Sequence, residues 1–375
     1  MRTSKQQTII KPKKAVKRSL KDRLRFDRWQ LAALILLVVV TVSWTLIAMG
    51  NSTLSVTTRT LSIPGLPSAL EGYTIVQVSD LNGARFGDNQ EKLVKSIASI
   101  NYDALCMTGD MIGASGDAQP LYELVDGLNA QKSKPMLFIT GDADPDPIAS
   151  ASGNDGNVYA DYINQLIARG VTYLDSPYKV EKGDARVWFT SALHLNVNTS
   201  DYLDAAQQRC LDAMSQGDAD TVQMEAYRLD CAQKLNTAAQ SMQSTDVHIA
   251  LSHTPLSDDF VRSLQYAEGD LSAESQDSSR SSQYLRLIDV ALCGHYVGGQ
   301  WRVPFVGAMY VPDERLPRGG WFPDQSQVKG LRRSNSVYIY TTSGLGTSSA
   351  YHLPSFRLFN TPEIVVIKLT AKLGA

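Results

Sequence analysis

Five short apolar runs in this chain each end next to an acidic or imidazole side chain. The runs are residues 73–78, 104–108, 136–140, 247–252 and 290–293. Their lengths and their lack of charged residues predict buried β-strands. In open α/β sheets, binding sites lie outside the carboxyl ends of the strands. We therefore expect the residues that follow these runs to meet at one edge of a sheet.

The residues after the runs offer oxygen and nitrogen atoms to a metal ion. They are Asp80, Asp110, Asp142, His253 and His295. Buried carboxylates and imidazoles are costly unless they are paired or bound to a metal. A set of carboxylates and imidazoles suits Mn, Zn or Fe. The sequence therefore predicts a divalent metal site.

The order of these motifs resembles the calcineurin-like metallophosphoesterases, in particular their membrane-anchored bacterial branch. That family carries D-x-H, G-D, G-N-H-[DE], a histidine after an apolar strand, and G-H-x-H-G-G-Q. The resemblance covers residues 54–369 and includes GLGTS at residues 344–348, then Arg357, Asn360 and Glu363. It implies an α/β fold, the four-layer α/β/β/α sandwich with two central sheets.

The chain departs from the family pattern at three positions. Asn82, Ala143 and Val297 stand where the family has histidines. By resemblance, one metal would be held by Asp110, Asp142, His253 and His295, a complete set. A second metal would share Asp110 and take Asp80, Asn82 and the position of Val297. A valine side chain cannot ligate, so the second half-site is predicted to be damaged.

Two residues are predicted to contribute to catalysis. Asn82 would position water or a weakly held second ion. Asp144 would replace the imidazole that the family has at Ala143, whose loss typically costs about 10²–10⁴ in rate. His194 is expected to be a loop histidine outside the site.

Two functions remain open. The first is a membrane-anchored phosphoesterase that hydrolyses a phosphomonoester or phosphodiester with metal-activated water. The resemblance implies varied phosphoester substrates, some of them lipid-linked, and a cell-envelope substrate is the expectation. The second is a catalytically inactive relative that serves as an extracytoplasmic binding or scaffolding module. The missing histidines are the observation that keeps the second function open.

The amino terminus predicts a membrane anchor. Residues 1–30 hold 11 lysines and arginines against two aspartates, and residues 31–49 carry no charge. As a helix, the uncharged run would be about 28 Å long, close to a bilayer core of about 30 Å. The basic flank predicts a cytoplasmic tail and an outer domain, residues 52–375. No A-x-A cleavage site follows, which favours an uncleaved signal anchor over a cleaved signal peptide. Because the tail adjoins this run, we assign it to membrane orientation and not to nucleic-acid binding.

Residues 201–243 predict a helical hairpin that is an insertion relative to the compact form of the family. Apolar residues recur at helical spacing on both sides of a polar break, SQGDAD. The hairpin is expected to pack beside the domain, with a cap over the cleft or a partner surface as alternatives. Cys210 and Cys231 lie on its apolar faces, and a disulfide between them stays open. Cys106 and Cys293 are expected to be buried thiols.

Overall fold

A computed structural model of the protein describes residues 27–131, 134–149, 158–264, 283–311, 320–348 and 356–372. The chain divides into two compact units, Met1–Ala48 and Met49–Ala375. The predicted basic tail lies outside the described residues, except for its last four positions.

The first unit is described through helix α1, Arg28–Ser52. Its segment Arg28–Thr45 has a mean hydropathy of 1.6. Among the described residues, α1 is the one helix that is long and apolar enough to cross a membrane. A signal sequence near an amino terminus can have the same length and hydropathy.

The described residues of the second unit form sixteen strands. They are β1 (Ser55–Ser62), β2 (Thr74–Val78), β3 (Ala104–Thr108), β4 (Met136–Ile139), β5 (Val171–Tyr173), β6 (Tyr178–Lys182), β7 (Ala185–Ser191), β8 (Val247–Ser252), β9 (Val290–Cys293), β10 (Arg302–Val303), β11 (Gly307–Ala308), β12 (Tyr310–Val311), β13 (Gly320–Trp321), β14 (Gly330–Ser334), β15 (Val337–Thr341) and β16 (Glu363–Thr370). The first sheet has the order β1-β16-β2-β3-β4-β5, and the second has the order β14-β15-β9-β8-β7-β6. The remaining strands form two short hairpins, β10–β11 and β12–β13.

Both sheets are parallel at their centres. Strands β2 to β5 run parallel in the first sheet, while β16 is antiparallel to β2 and parallel to β1. In the second sheet β7, β8, β9 and β15 run parallel, with β6 and β14 antiparallel at the edges. The carboxyl ends of the central strands therefore reach the same edge within each sheet.

The two sheets pack face to face over one apolar cluster. Ile75 and Val365 enter this cluster from the first sheet, and Phe189 and Ile249 enter it from the second. Val76, one residue after Ile75, faces the opposite side of the first sheet and packs under helices. Strands that bury both faces require a continuous apolar run, which is why the sequence pattern shows no alternation.

Helices cover the outer faces of both sheets. The first sheet is covered by α2 (Glu91–Ala98), α3 (Gln119–Asn129) and α4 (Asp161–Ala168), whose buried side chains include Leu93, Leu121 and Ile163. The second sheet packs against residues 258–264 through Val261 and Leu264. The predicted α/β/β/α layering is confirmed. A short helix, Gln325–Val328, precedes β14.

The predicted hairpin consists of α5 (Thr199–Gln216) and α6 (Ala219–Ser241). Asn198 caps α5 by accepting from Asp201, and Asp218 caps α6 by accepting from Thr221. A hydrogen bond of 2.8 Å from the Tyr227 hydroxyl to Asp175 ties α6 to the sandwich. Cys210 and Cys231 are free thiols, so the disulfide that the sequence left open is not formed; Cys106 and Cys293 are free and buried, as expected.

The second unit carries its own core, because the buried apolar clusters of the described residues are drawn from between Leu54 and Leu369. Residues 53–375 are therefore suited to measurements in solution without α1.

Phe189→Ala is expected to lower the free energy of unfolding of residues 53–375 by about 3–5 kcal/mol, because this fully buried ring fills the space between the sheets. Leu211→Ala, on the exposed face of α5, is the control and should change it by less than about 0.5 kcal/mol. Urea unfolding followed by circular dichroism measures both. Equal losses in the two variants would contradict the assignment of this core.

Candidate metal centre

The two sheets deliver the predicted ligands to one place. Asp80, Asp110 and Asp142 follow strands of the first sheet, and His253 and His295 follow strands of the second. The ligand atoms form two triads in which all atoms lie within 4.8 Å of one another. One triad is Asp142, His253 and His295, and the other is Asp80, Asp110 and His253. All five residues that the sequence selected therefore meet.

His253 is the residue that the two triads share. Its Nε2 atom lies 3.3 Å from Oδ2 of Asp110 and 3.1 Å from Nδ1 of His295. Nδ1 of His295 lies 3.3 Å from Oδ2 of Asp142. The backbone N–H of His295 donates to both carboxylate oxygens of Asp80, at 3.1 and 3.2 Å. The assignment of Asp110 as the bridge between two ions stays a prediction.

Backbone groups orient two of the ligands. Nδ1 of His253 lies 2.9 Å from the carbonyl oxygen of Thr108 and donates to it, which leaves Nε2 directed at the cluster. The N–H of Ala143 donates to Oδ1 of Asp110 at 2.8 Å. Both side chains are thus held in place by backbone groups.

The electrostatics of the cluster favour a cation. Burial raises the pKa of Asp80 to about 7, against the opposing charge of His253 and with the added repulsion of Asp110. Burial alone would lower the pKa of His253, but the hydrogen bond and charge of Asp110, together with the charge of Asp80, raise it to about 9. Protons held in this way are the ones that a divalent ion displaces when it binds. The donor set and its charge fit a borderline ion such as Mn, Zn or Fe.

The chain adopts unfavourable backbone conformations at three of the ligands. Asp80, Asp110 and His295 have φ angles of 53°, 51° and 74°. This left-handed region is uncommon for residues other than glycine. Such conformations cost about 1–3 kcal/mol each and persist mainly at functional sites.

Glycines beside the ligands make room for the carboxylates. A Cβ atom on Gly141 would lie 2.2 Å from Oδ1 of Asp110, and one on Gly294 would lie 2.7 Å from Oδ2 of Asp80. Neither position can hold a side chain without moving a ligand. This close approach is the physical reason for a glycine before Asp142 and before His295 in the sequence.

Asn82 adjoins the second triad. Its N–H donates to the carbonyl of Asp110 at 2.9 Å. Its side-chain amide nitrogen is buried without a hydrogen-bond partner among the described residues. A half-turn of the amide exchanges its oxygen and nitrogen, so the side chain can offer an oxygen in place of the unpaired nitrogen.

Asp144 lies behind the cluster. Its carboxylate accepts N–H groups from Ile112 at 2.8 Å, Gly113 at 3.1 Å and Gly141 at 2.9 Å. Burial raises its pKa in spite of these bonds. The geometry favours a role in holding two loops together, and protonation of a leaving group by Asp144 stays a prediction.

Val297 is fully buried and has a φ of 48°. Its carbonyl oxygen accepts a hydrogen bond of 2.7 Å from Nδ2 of Asn360. For a β-branched residue this backbone conformation is an outlier. Hydrocarbon therefore occupies the position where the family pattern has a second imidazole.

Arg357 supports the centre from behind, a role that the sequence did not reveal. This buried guanidinium donates to the carbonyls of Ser343 at 2.5 Å and Asn360 at 2.7 Å, and also to that of Gly346. The N–H of Gly346 in turn donates to the carbonyl of Asp80 at 2.7 Å. The GLGTS element and Arg357 thus fix the backbone of a ligand.

A cavity of about 970 Å³ opens beside the centre and includes Asp142 and His253 in its lining. Its far wall contains His194, Leu193 and Phe260. The expectation that His194 lies outside the site is therefore corrected. Strand β7 ends at the same edge as β8, which brings the residues after Ser191 into the cavity. Burial lowers the pKa of His194, although Asp175 opposes this, and its Nδ1 has no partner among the described residues.

The two facing sheets bring carboxylates and imidazoles to one edge, the arrangement that the resemblance to metallophosphoesterases implies. The chain is 38% identical over 81 residues to the phosphodiesterase YaeI of Escherichia coli. That segment is 22% of this chain and 25% of the relative, so the match spans about a quarter of the relative's length. The aligned relative is named a phosphodiesterase, in agreement with the resemblance that the motifs indicated. No family model matches the chain.

Solved structures of similar proteins include two hydrolases. A phosphopantetheinyl hydrolase of Mycobacterium tuberculosis is 12% identical, with a TM-score of 0.33 over 74% of this chain and 91% of its own. A dimetal phosphatase of Danio rerio is 13% identical, with a TM-score of 0.36 over 80% of this chain and 99% of its own. The identities and scores are low, and the layering of the sheets rests on the structure described above.

Asp142→Ala is expected to weaken Mn binding by at least about tenfold, because it removes one oxygen ligand from a triad with two imidazoles. Asp258→Ala is the matched control, since Asp258 is also partly exposed and pairs with Arg332 away from the cluster. Isothermal titration of chelator-treated protein with Mn measures both affinities. Unchanged binding in Asp142→Ala would exclude this residue as a ligand.

Proposed function

We propose that this protein is a membrane-anchored, metal-dependent phosphoesterase with one complete metal site. The observation that carries the proposal is the meeting of two triads that share His253, one with Asp142 and His295 and one with Asp80 and Asp110, at the carboxyl ends of strands from two facing sheets. The aligned relative is named a phosphodiesterase, which supports the hydrolysis of a phosphoester bond.

The residues of the cluster divide the work. Asp110, Asp142, His253 and His295 would hold a divalent ion, with Thr108 and Ala143 keeping His253 and Asp110 in place. When bound, such an ion polarises a phosphoryl oxygen and lowers the pKa of water. Asp80 and the amide of Asn82 would orient water, or a weakly held second ion, next to it.

The cavity beside the ligands supplies the room for a substrate. Its volume of about 970 Å³ lies at the upper end of the range for small-molecule sites, about 300–1,000 Å³. Leu193, Leu256 and Phe260 give part of its wall an apolar character, while His194 and Asp175 add polar groups. We propose that the group esterified to the phosphate occupies this wall, next to His194.

The location follows from α1. We propose that the helix is retained as an uncleaved anchor, with the basic tail in the cytoplasm and residues 52–375 outside it. Its length and hydropathy, together with the positive amino-terminal flank, support this orientation. A phosphoester of the cell envelope is then the substrate class in reach.

A second candidate function is an inactive relative that binds a partner in the envelope. Val297 and Ala143 favour it, because neither can ligate an ion or transfer a proton. The α5–α6 hairpin begins four residues after Leu195, which lines the cavity, and its Tyr227 bonds Asp175 of the same lining. In an inactive protein the hairpin and the cavity would form the partner's site.

Residues 53–375 are expected to hydrolyse bis(p-nitrophenyl) phosphate when Mn is added, and His295→Ala should reduce this turnover by at least about 10². The reason is that His295 contacts both Asp142 and His253, so its loss opens the ion site. Asp258→Ala is the control and should keep full activity. Release of p-nitrophenol, measured with and without chelator, is the assay. Turnover equally low in the parent and in His295→Ala would favour the binding function.

The combined substitutions Asn82→His, Ala143→His and Val297→His are expected to raise the bound Mn from about one ion per chain to about two. They would also raise turnover, by up to about 10²–10⁴ if the imidazole at position 143 acts as an acid. Because Val297 is fully buried, the pair Asn82→His and Ala143→His is the companion variant that leaves the core intact. An unchanged ion count in both variants would contradict the idea that missing imidazoles damage the second half-site.

A further inference from the structure

A group of large apolar side chains projects from the loops that follow the metal ligands. Its members, here named the aromatic edge, are Phe305, Val306, Trp321, Phe322 and Phe359. Phe305 is fully exposed, and Trp321, Phe322 and Phe359 are each 60% exposed or more. Phe305, Val306 and Phe359 line one shallow cavity of about 520 Å³. Contiguous exposed apolar patches mark sites of protein or membrane interaction.

The aromatic edge stands on a fixed support. Phe305 lies in the turn of the β10–β11 hairpin, whose Arg302 N–H donates to the carbonyl of Leu358 at 2.9 Å. Nε1 of Trp301 donates to the carbonyl of Phe356 at 2.9 Å. The side chain of Gln325 bonds both the N–H and the carbonyl of Ala308, at 2.6 and 3.0 Å. The exposed rings are therefore held outward by a bonded framework.

Trp321 and Phe322 belong to the adjoining hairpin. The rings of Tyr310 and Trp321 lie 5.2 Å apart, and the N–H of Phe322 donates to the carbonyl of Met309 at 2.7 Å. The N–H of Met309 donates to the carbonyl of Trp301 at 3.1 Å, which joins this hairpin to the support of Phe305.

The aromatic edge shares its side of the domain with the metal centre. The loop after His295 runs directly into the β10–β11 hairpin, and Asn360, next to Phe359, bonds the carbonyl of Val297 at 2.7 Å. The N–H of Leu358 donates to the carbonyl of Gln300 at 3.1 Å. The exposed rings and the predicted ligands thus lie on loops that are joined to one another by hydrogen bonds.

The chain enters the domain at this same side. Strand β16 is antiparallel to β2, so its first residue, Glu363, lies at the end of β2 that leads to Asp80. Ser55, the first residue of β1, pairs with Glu363 and donates to the carbonyl of Pro362 at 2.9 Å. Phe359 precedes Pro362 by three residues. Only Thr53 and Leu54 separate Ser55 from the end of α1, the candidate membrane span.

From this arrangement we propose that the aromatic edge docks onto the surface of a lipid bilayer. Aromatic side chains are enriched where a membrane meets water, because their rings tolerate the boundary between hydrocarbon and headgroups. The entry of the chain from an apolar helix at the same side favours a bilayer over a second copy of the chain or another protein as the occupant.

Docking has a consequence for the substrate class, and this consequence rests on the proposed function. The metal centre would be held at the bilayer surface, where the phosphoester headgroup of an amphiphile is presented. The apolar wall around Leu193 and Phe260 suits a substrate whose esterified group is itself partly apolar.

The test uses residues 53–375, which keep the whole core, and vesicles of phosphatidylcholine. The fragment is expected to float with the vesicles on a density gradient, and Phe305→Ser combined with Phe359→Ser should reduce the bound fraction at least tenfold. Leu211→Ser combined with Met214→Ser is the matched control, because these side chains are equally exposed on α5. Circular dichroism checks that all variants are folded.

A second measurement places the rings in the lipid. Vesicles of brominated phosphatidylcholine should quench the fluorescence of the fragment, and Trp321→Phe should remove most of that quenching, because Trp188 is buried and Trp301 is half-buried. Absence of flotation by the parent fragment, or equal flotation by both double variants, would overturn the proposal. Self-association without lipid that only the phenylalanine variants abolish would overturn it in favour of a second copy.

The outcomes separate docking from catalysis. Turnover of bis(p-nitrophenyl) phosphate in solution should be the same for the parent fragment and for the Phe305→Ser, Phe359→Ser variant. Flotation without any turnover would support docking and contradict the proposed function. Turnover without flotation would support the proposed function and contradict docking.

Discussion

The contact between Asp110 and His253 is the interaction on which the rest of the site depends. One residue comes from each sheet, and their side chains lie 3.3 Å apart in a nearly buried position. A carboxylate in such a place is costly to leave unpaired. The imidazole offsets that cost, and it does so only when the two sheets close at this edge. The contact between Asp110 and His253 therefore depends on the packing of the two sheets against each other.

Several residues around this contact have strained backbone conformations, and hydrogen bonds to the backbone hold them in place. Asp80, Asp110, His295 and Val297 all have positive φ angles. Hydrogen bonds from Gly346 and His295 hold Asp80, while Arg357 holds the loop that contains Gly346. Glu363, buried under the same loop, accepts from the N–H and the hydroxyl of Ser343, both at 2.9 Å. These bonds hold the backbone of the predicted ligands in place.

The parallel strands gather several features at one edge because their carboxyl ends coincide. The predicted ligands and the cavity with His194 follow from that geometric fact. The first residue of β1 lies at the same edge because β1 is parallel to β16, which runs antiparallel to β2. The opposite edge of the sandwich contributes none of the predicted ligands. The candidate metal centre, the cavity and the predicted ligands therefore share one edge of the sandwich.

The sequence by itself determined the elements and the ligand types. Apolar runs of strand length predicted β2, β3, β4, β8 and β9 to within a residue or two at their ends, and helical periodicity predicted the α5–α6 hairpin, because both signals are local. The residue after each strand predicted all five members of the cluster, since parallel strands end together. The contacts between residues that lie far apart in the sequence became known only from the tertiary structure. It placed His194 in the lining of the cavity and turned Asp144 towards four backbone N–H groups. It also left Cys210 and Cys231 unbonded, and brought Phe305 and Phe359 to the lining of one shallow cavity. These outcomes depend on where distant segments meet, and residue spacing along the chain carries no record of that.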